Sequence, residues 1–297
     1  MRIHYPTAGL GRLCRLFGKT RQAFYDHSHR KDDKEFEQAI VIDRVRALRS
    51  AGMSGIGGLK LHKILKDELL AHKVTIGRDR FFDLLRQAGL LIKRRKKYAR
   101  TTDSNHPYPK YPDLIKQLTI NAPCQLWVSD ITYLRITNGF IYLTLITDAY
   151  SRKIVGHHLS HNLKVQGCIY ALQKALQSLD PQTARGLIHH SDRGIQYCSQ
   201  AYTALLKENN IQISMTQSGS PYDNAIAERV NGILKCEGGL DITFRSYHQA
   251  VASTHQAIDV YNRLRPHMSL GYLTPEKVHS GQKPLKKAWK KKEKQTL

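Results

Sequence analysis

Long hydrophobic runs are absent from this sequence of 297 residues. The longest apolar stretch, residues 140–147, is interrupted by threonines and ends at Asp148, whereas a membrane-spanning helix needs about 20 apolar residues. The N-terminal segment also lacks the block of about 7–15 apolar residues that marks a secretory signal peptide. We therefore expect neither a membrane-embedded protein nor a secreted one.

Cysteine is sparse and scattered. The chain has five cysteines, and none of them belongs to a CxxC pair. This pattern argues against a disulfide framework and against a structural zinc site, and it favours a reducing compartment such as the cytoplasm. The 15 histidines have no metal-ligand spacing relative to the cysteines, so most of them are expected at the surface or facing DNA.

Acidic residues are scarce compared with basic ones. The chain has 24 Asp and Glu against 47 Lys and Arg, which gives a net charge of +23. This charge is unevenly distributed, with +14 over residues 1–120, +3 over residues 121–275 and +6 over residues 276–297. A nearly neutral centre between two basic flanks indicates a central core whose ends bind a polyanion. A merely solubilising surface is the alternative, but it would not concentrate the charge in this way.

The first third of the chain has a helical pattern. Residues 8–27 carry two short apolar patches on either side of Gly18, which is typical of a small helix-turn-helix. We assign residues 1–30 to that motif. Residues 36–92 predict three longer helices that are separated by turns. They are therefore assigned to a second, all-helical DNA-binding module.

The last helix of this module, at about residues 78–88, is the candidate recognition helix. It carries Arg78, Arg80 and Arg86, which are predicted to contact DNA. The alternative is a spacer of three helices whose arginines are only solvated.

Two further segments have the composition of a linker and a tail. Residues 93–120 are predicted to form a basic linker that lies extended over phosphates, with Arg94 and Arg95 as contacts. Residues 279–297 are rich in lysine and are predicted to form a disordered basic tail.

The central part of the chain changes from a helical to a strand period. Strands are predicted over residues 127–133, 139–148, 153–159, 186–190 and 212–215. Helices are predicted over residues 165–179, 199–209 and 224–236. The turn Thr137-Asn138-Gly139 is a hairpin signal between the first two strands. The predicted fold class is therefore α/β, with a mixed five-stranded sheet and helices over residues 121–278.

Three carboxylates stand out by their positions in these elements. Asp130 lies inside the first strand, where a charge is costly unless it has a function. Asp192 follows the fourth strand, and Glu228 lies one turn into the last helix. In a sheet of this order the first and fourth strands are commonly central neighbours, so we expect the three side chains to converge. Alternatively, Asp192 caps a turn and Glu228 is an ordinary acid on a helix surface.

Converging carboxylates suit Mg²⁺ or Mn²⁺, which prefer hard oxygen ligands. Two such ions about 3.5–4 Å apart can activate an attacking oxygen and stabilise the leaving oxygen of a phosphoryl transfer. Asp148, at the end of the second strand, is interpreted instead as the cap of a turn. The three converging residues thus indicate metal-dependent chemistry on a phosphate ester.

Four segments carry a resemblance to a known family. They read WVSDITYLRITNGFIYLTLITDAYSRKIVG, HHSDRGIQYCS, SPYDNAIAERVNGILKCE and YNRLRPHMSLGYLTPEKV, in this order over residues 127–278. They resemble the integrase core of bacterial insertion-sequence transposases, specifically the second-frame product of the IS3 family, and more distantly retroviral integrase. The 35 residues between Asp192 and Glu228 match the DD(35)E spacing of that family. Residues 11–25 and 37–92 also resemble its helix-turn-helix segments.

The resemblance implies an RNase H-like catalytic core. It implies that Asp130, Asp192 and Glu228 are the catalytic, metal-binding triad, which holds two Mg²⁺ ions that Mn²⁺ can replace. The family often has a basic residue seven positions after the glutamate, which here is Lys235, expected to contact DNA. One departure is the glycine-rich segment GIGGLKLHKIL. Another is the absence of the retroviral zinc-binding HHCC module, which leaves recognition of the DNA ends to the helical N-terminal region.

The function implied is that of a DNA transposase. The family uses a copy-out, paste-in route, in which metal-dependent 3′-end cleavage and strand transfer pass through a circular intermediate. The implied partners are the element's terminal inverted repeats, target DNA and further copies of the chain in at least a dimer. A first-frame protein of the same element is a further partner that the resemblance suggests. The implied location is the bacterial cytoplasm, in association with the nucleoid. An RNase H-type nuclease and a non-catalytic sequence-specific DNA-binding repressor are the alternatives.

Overall fold

The computed structural model describes residues 9–92, 107–116, 118–179, 186–217 and 224–281. The predicted contacts Arg94 and Arg95 lie outside these residues, as do much of the predicted linker and most of the predicted tail. Within the described ranges, no helix is both long enough and apolar enough to cross a membrane. The chain divides into two compact units.

The first unit combines residues 1–47 with residues 65–91 and is helical where it is described. The helices of this part of the chain are α1 (Leu10–Leu16), α2 (Arg21–Ser50), α3 (Gly58–Ala71) and α4 (Arg78–Gln87), of which α2 and α3 continue into the second unit. Apolar residues spaced three and four apart give the helices a buried face. The buried side chains of the first unit include Val41, Val45, Leu65, Leu69, Val74, Phe81, Leu84 and Leu85.

Helix α2 corrects one expectation from the sequence. The sequence predicts that the second helix of the module over residues 1–30 ends before a separate helix begins at about residue 37, but α2 runs without a break from Arg21 to Ser50. The segment HSHRKDDKE, residues 27–35, is polar on all sides and so shows no apolar stripe that would reveal a helix. The two predicted modules therefore share one continuous helix.

The second unit is built on a mixed sheet. Its strands are β1 (Leu126–Ile136), β2 (Gly139–Asp148), β3 (Ile154–Ser160), β4 (Ile188–Ser191), β5 (Gln212–Met215) and β6 (Thr243–Phe244). The order is β3-β2-β1-β4-β5, and β6 pairs with β1. Strands β1, β2 and β3 are antiparallel neighbours, whereas β4 is parallel to β1 and β5 is parallel to β4. The five predicted strands are confirmed, and the two-residue β6 is an addition.

Helices cover both faces of this sheet. They are α5 (Val165–Gln177), α6 (Ile195–Cys198), α7 (Gln200–Glu208), α8 (Ala225–Cys236), α9 (Tyr247–Arg263), α10 (Pro275–His279) and a 3₁₀ turn at Met268–Leu270. One core lies between the sheet and α5 to α7, where Trp127 and Tyr202 are buried. The other lies between the sheet and α8 and α9, where Leu134 and Tyr261 are buried. Alternate side chains of β1 pack into one core or the other, because successive residues of a strand point to opposite faces of the sheet.

Residues 48–64 belong to the second unit, although the sequence places them in the helical module over residues 36–92. The backbone N–H of Gly55 donates to the carbonyl of Glu237 over 3.1 Å. A Cβ atom at Gly55 would lie 1.9 Å from the carbonyl oxygen of Cys236, so glycine is needed at this close approach. The Lys60 ammonium also binds the Glu237 carboxylate over 2.6 Å. These contacts attach the turn after α2 to the C-terminal end of α8.

Candidate active site

The pairing of β1 with β4 brings two of the predicted carboxylates together. The two strands are parallel, and Val128 lies opposite His190. If this register is continued by two residues along each strand, Asp130 lies opposite Asp192, and both side chains are on the same face of the sheet. The charge of Asp192 accordingly raises the pKa of Asp130. These two carboxylates are therefore neighbours, as the predicted strand order requires.

Helix α8 supplies the third carboxylate. The Asn231 side-chain amide donates a hydrogen bond of 2.8 Å to Oδ2 of Asp130, and Glu228 lies three residues earlier on the same face of α8. The Asn224 amide, at the start of the helix, donates to the carbonyl of Ser129 over 2.8 Å. Two asparagine amides thus attach α8 to β1 on either side of Glu228.

The electrostatics of the site favour a cation. Burial raises the pKa of the Asp130 carboxyl to about 7, and the charges of Asp192 and Glu228 act in the same direction, while hydrogen bonds from Asn231 and from the backbone of Ile131 oppose the shift. Three like charges are costly together unless a counter-charge is bound. Carboxylate oxygens of this kind fit Mg²⁺ or Mn²⁺, because these ions prefer hard oxygen ligands.

The site is open on one side. Glu228 is exposed and Asp192 is partly exposed, so a substrate oxygen has access to the carboxylates. Among the described residues, the oxygens of the three carboxylates do not all lie within 4.8 Å of one another. Asp192 also accepts a hydrogen bond of 3.0 Å from the backbone of Gly194. It therefore caps a turn and faces Asp130 at the same time.

A second cluster of potential ligands lies around Asp148. Ligand atoms of Cys124, Asp148 and His279 lie within 4.8 Å of one another. The buried Asp148 carboxylate accepts hydrogen bonds of 2.7 Å from the backbone of Cys124 and from both the backbone and the hydroxyl of Ser151. These bonds engage both of its oxygens, so Asp148 caps the turn after β2, as its position in the sequence predicts.

Lys235 lies two turns after Glu228 on α8 and is half-buried. Its ammonium nitrogen lies over the ring of Tyr133, 4.6 Å from the ring centroid. Burial lowers the pKa of Lys235, and the nearby charges of Asp241 and Asp130 oppose that shift. Contact between Lys235 and DNA stays a prediction, and the structure adds that its amine is close enough to sense the charge of the candidate site.

The predicted recognition helix exposes its arginines. Arg78, Arg80 and Arg86 of α4 are all exposed, whereas the apolar face of the helix is buried. The guanidinium of Arg78 binds Asp79 over 2.8 Å, and that of Arg86 binds Asp83. A phosphate would have to compete with these carboxylates for two of the three arginines. Their contact with DNA stays a prediction.

Sequence reasoning missed the asparagines that hold the site. Asn224 and Asn231 are nearly fully buried, which is unusual for amides. Their spacing of four and three residues from Glu228 is the signal that could have revealed them, since these positions share a helix face. Exposed asparagines are too common in sequences for that spacing to be noticed without the structure.

Known proteins resemble the chain along most of its length. The integrase core domain family matches residues 120–221 and 209–275. The insertion element IS600 uncharacterized 31 kDa protein of Shigella sonnei is 32% identical over 279 residues, which cover 90% of this chain and 98% of that protein. The transposase InsF for insertion sequence IS3A of Escherichia coli K12 is 36% identical over 219 residues, 73% of this chain and 75% of the relative.

Among solved structures, the chain resembles the simian T-cell lymphotropic virus intasome in complex with a PP2A regulatory subunit. That likeness has 19% identity, a TM-score of 0.46 and coverage of 77% of each chain. The mixed sheet, with helices on both faces, is an RNase H-like architecture. Together with nearly full-length similarity to an insertion-element protein, the integrase core match shows that this chain belongs to the DDE transposases of bacterial insertion sequences and is a polynucleotidyl transferase.

Proposed function

We infer that Asp130, Asp192 and Glu228 are the catalytic carboxylates of this transposase and that they hold the divalent cations of the reaction. The observation that supports this most directly is the parallel register of β1 and β4, which sets Asp130 opposite Asp192. When bound, two Mg²⁺ or Mn²⁺ ions would activate the attacking oxygen and stabilise the leaving oxygen. Asn231 keeps the Asp130 carboxylate oriented through its amide.

The reaction we propose is 3′-end cleavage followed by strand transfer. In a copy-out, paste-in route, a freed 3′-hydroxyl at one element end attacks beside the other end, and the resulting circle is later joined to target DNA. One open site can accept water in the first step and a 3′-hydroxyl in the second, because it needs no covalent bond between protein and DNA. The exposed position of Glu228 is compatible with both.

DNA recognition is assigned to the basic parts of the chain. We propose that the helical N-terminal region, with Arg78, Arg80 and Arg86, binds the terminal inverted repeats. Arg94, Arg95 and the lysine-rich C-terminal segment would add contacts with phosphates. Joining two ends requires at least a dimer, and a first-frame protein of the same element is a further proposed partner. We expect the protein in the bacterial cytoplasm, in contact with the nucleoid.

The test compares Asp130→Asn, Asp192→Asn and Glu228→Gln with the unaltered protein on labelled element ends in Mg²⁺. Each substitution keeps the side-chain shape but removes a charge that holds the cations. Cleavage and joining should fall at least about 10²–10³-fold, as for the loss of comparable electrostatic groups, while gel-shift binding persists. Glu208→Gln, an exposed acid on α7, is the matched control and should keep full activity.

The reaction products also distinguish a transposase from an RNase H-type nuclease and from a non-catalytic repressor. Retention of more than about a tenth of the joining activity by any one of the three variants would contradict the triad. An RNase H-type nuclease would cut without producing joined strands, and a repressor would bind the ends without cutting them. Sequencing of the joined products would identify the end junctions that the copy-out route requires.

A further inference from the structure

One edge of β1 has an unpaired stretch beside the proposed catalytic carboxylates. Pairing with β4 reaches as far as Val128, and pairing with β6 starts at Arg135. Strand β2 occupies the opposite edge along the whole of β1. Within the described ranges, no other strand pairs with β1 between these two points. Asp130 lies near the start of this stretch, where the Asn224 amide donates to the carbonyl of Ser129 and the N–H of Ile131 donates to the Asp130 carboxylate. The edge without a partner strand therefore begins next to the site.

Two aromatic rings lie at the far end of this stretch. Tyr133 of β1 and Phe140 of β2 meet edge to face, with ring centroids 5.4 Å apart. They are 40% and 49% exposed. Such a cross-strand pair stabilises a hairpin, but this hairpin is already held by Leu134 and Ile141, which are fully buried in the core. The exposure of both rings is therefore not required by the fold.

Two cations lie near the two rings, and the carboxylate of Asp241 is close enough to act on one of them, Lys235. The ammonium of Lys235 lies 4.6 Å from the centroid of Tyr133. Arg135 follows Tyr133 on the same face of β1, and its charge contributes to the lowered pKa of Lys235. Aromatic rings beside cations are the combination by which proteins bind single-stranded nucleic acid, since rings stack on bases and cations attract phosphates. The same rings would have no stacking partner in a closed duplex, where neighbouring base pairs cover each base.

We propose that Tyr133 and Phe140 form a stacking platform for an unpaired base of the DNA strand that enters the active site, with Lys235 binding a phosphate beside it. The proposal rests on the function inferred above. Tyr133 is three residues from Asp130, about 10 Å along β1, and side chains an odd number of residues apart point to opposite faces of a strand. The DNA strand would therefore reach the two rings by crossing the edge of β1 that has no partner strand. The preferred substrate is then a DNA end whose last base pairs are open.

The test uses element ends that carry 2-aminopurine at each of the last four positions in turn, bound in the absence of divalent cations so that no reaction occurs. The fluorescence of this base falls when it stacks on a ring. We expect quenching at one of these positions with the unaltered protein and with Tyr133→Phe, which keeps the ring. Tyr133→Ala and Phe140→Ala should abolish the quenching and, in Mg²⁺, raise the KM for joining about tenfold.

Tyr170→Ala is the matched control, because Tyr170 is 47% exposed on α5 and belongs to neither the site nor the platform. It should leave both the quenching and the KM unchanged. Thermal unfolding of each variant shows whether it is folded, and Tyr133→Phe provides a variant that keeps the packing. A second substrate, with two mismatched terminal base pairs, should bind the unaltered protein more tightly than a closed end does.

Three outcomes would overturn the platform: quenching that persists in both alanine variants, no quenching with the unaltered protein, or equal binding of open and closed ends. If the protein nevertheless joins element ends in Mg²⁺, the proposed function stands and only the platform fails. If it joins no ends at all while the quenching depends on the rings, the platform is supported and the proposed function fails.

Discussion

Asn231 is the side chain through which α8 acts on Asp130. Its amide N–H donates to one carboxylate oxygen, and the backbone of Ile131 donates to the other. The Asp130 carboxylate is thereby fixed in direction before any cation binds. Replacement of a group that orients a metal ligand in this way typically costs about 10–100-fold in metal affinity or activity.

We predict that Asn231→Ala lowers the rate of strand joining about 10–100-fold, the usual loss for a group that orients a metal ligand. The Mg²⁺ concentration that gives half-maximal activity should rise, because Asp130 loses its fixed direction. A titration of joining activity with Mg²⁺ measures both effects. Asn209→Ala removes an amide that bonds only to the carbonyl of Leu205 and should change neither. An unaltered Mg²⁺ dependence in Asn231→Ala would show that the hydrogen bond has no part in metal binding.

The residues of the candidate site differ in how far the sequence reveals them. Asp130 is conspicuous because a charge inside an apolar strand is energetically costly unless it has a function. Asp192 and Glu228 are recognisable because 35 residues separate them, as in the DD(35)E pattern of insertion-sequence transposases. Asn231 gives no such signal, since an asparagine on a helix is as often exposed as buried. The contact between Lys235 and Tyr133 also escapes prediction, because it depends on how α8 packs against the sheet rather than on spacing in the sequence.

At the scale of elements, Gly156 marks a close approach of β3 to α5. A Cβ atom at this position would lie 2.3 Å from the carbonyl oxygen of Ala171 and 2.8 Å from the Cβ atom of Ala175. Both neighbours are parts of α5 that cannot move without shifting the helix. The small residues at positions 156, 171 and 175 therefore set the distance between helix and sheet.

Gly156→Ala should lower the free energy of unfolding by about 1–3 kcal/mol, the usual cost of overpacking a core. Urea denaturation measures this difference. Gly232→Ala is the matched comparison, since its Cβ atom would meet nothing within 4 Å, and an alanine inside a helix is favoured over glycine by about 0.5–1 kcal/mol. Equal effects of the two substitutions would mean that α5 adjusts freely to the strand.

The end of α8 is held by an ionic network around Glu237. Its carboxylate binds the Arg265 guanidinium through two hydrogen bonds of 2.9 and 3.0 Å and the Lys60 ammonium over 2.6 Å. Burial alone would raise the pKa of Glu237, but the hydrogen bonds and charges of Arg265 and Lys60 bring it below its ordinary value. A carboxyl group with a lowered pKa stabilises the fold above its ordinary pKa and loses that contribution as the pH falls through the lowered value.

Glu237→Gln should therefore lower the free energy of unfolding at pH 7 by about 3–5 kcal/mol, because it leaves buried Arg265 without its partner charge. The difference from the unaltered protein should begin to shrink below about pH 4.3, the ordinary pKa of a glutamate. It should continue to shrink as the pH falls through the lowered pKa of Glu237 in the folded protein. Urea denaturation in steps from pH 7 to pH 3 measures this trend. A difference of the same size at both ends of the range would show that the charge of Glu237 is not what stabilises this contact.

Strong periodicity explains which elements are predictable. Strands β1 to β5 carry β-branched and aromatic residues between clear turns, and the structure confirms all five. Strand β6 has two residues, too few to show any alternation. Residues 27–35 of α2 are polar on every side, so they show no apolar stripe that would predict a helix. The sequence also gives no sign that Gly55 docks against α8, because a glycine-rich turn usually indicates only a loop.

For the whole molecule, the dominant property is the uneven charge. The C-terminal segment 282–297, outside the described residues, holds seven lysines and one glutamate. We predict that its removal weakens binding to element ends and to scrambled duplexes about equally, since phosphate contacts do not read sequence. The slope of log affinity against log salt should become shallower by up to about 0.9 for each phosphate that the shortened protein no longer neutralises.

The matched variant keeps the length of this segment but replaces its seven lysines by glutamine, and it should behave like the deletion. Gel-shift titrations over a range of salt concentrations provide the measurement. An unchanged slope in both variants would mean that the segment does not touch DNA. Weaker binding confined to the element ends would mean that it reads sequence.

Because β1 pairs with β4, the candidate site combines residues that are far apart in the sequence and are therefore synthesised at different times. Asp130 and Asp192 are 62 residues apart in the sequence, and Glu228 follows Asp192 by a further 36. Ribosomes add about 5–20 residues per second, so the basic N-terminal helices emerge seconds before the three carboxylates are all present. Helix α8 then packs in a core shared with α9, which ends at Arg263. A growing chain can therefore meet DNA while it is still on the ribosome, but it cannot assemble the three-carboxylate site until α9 has also been made.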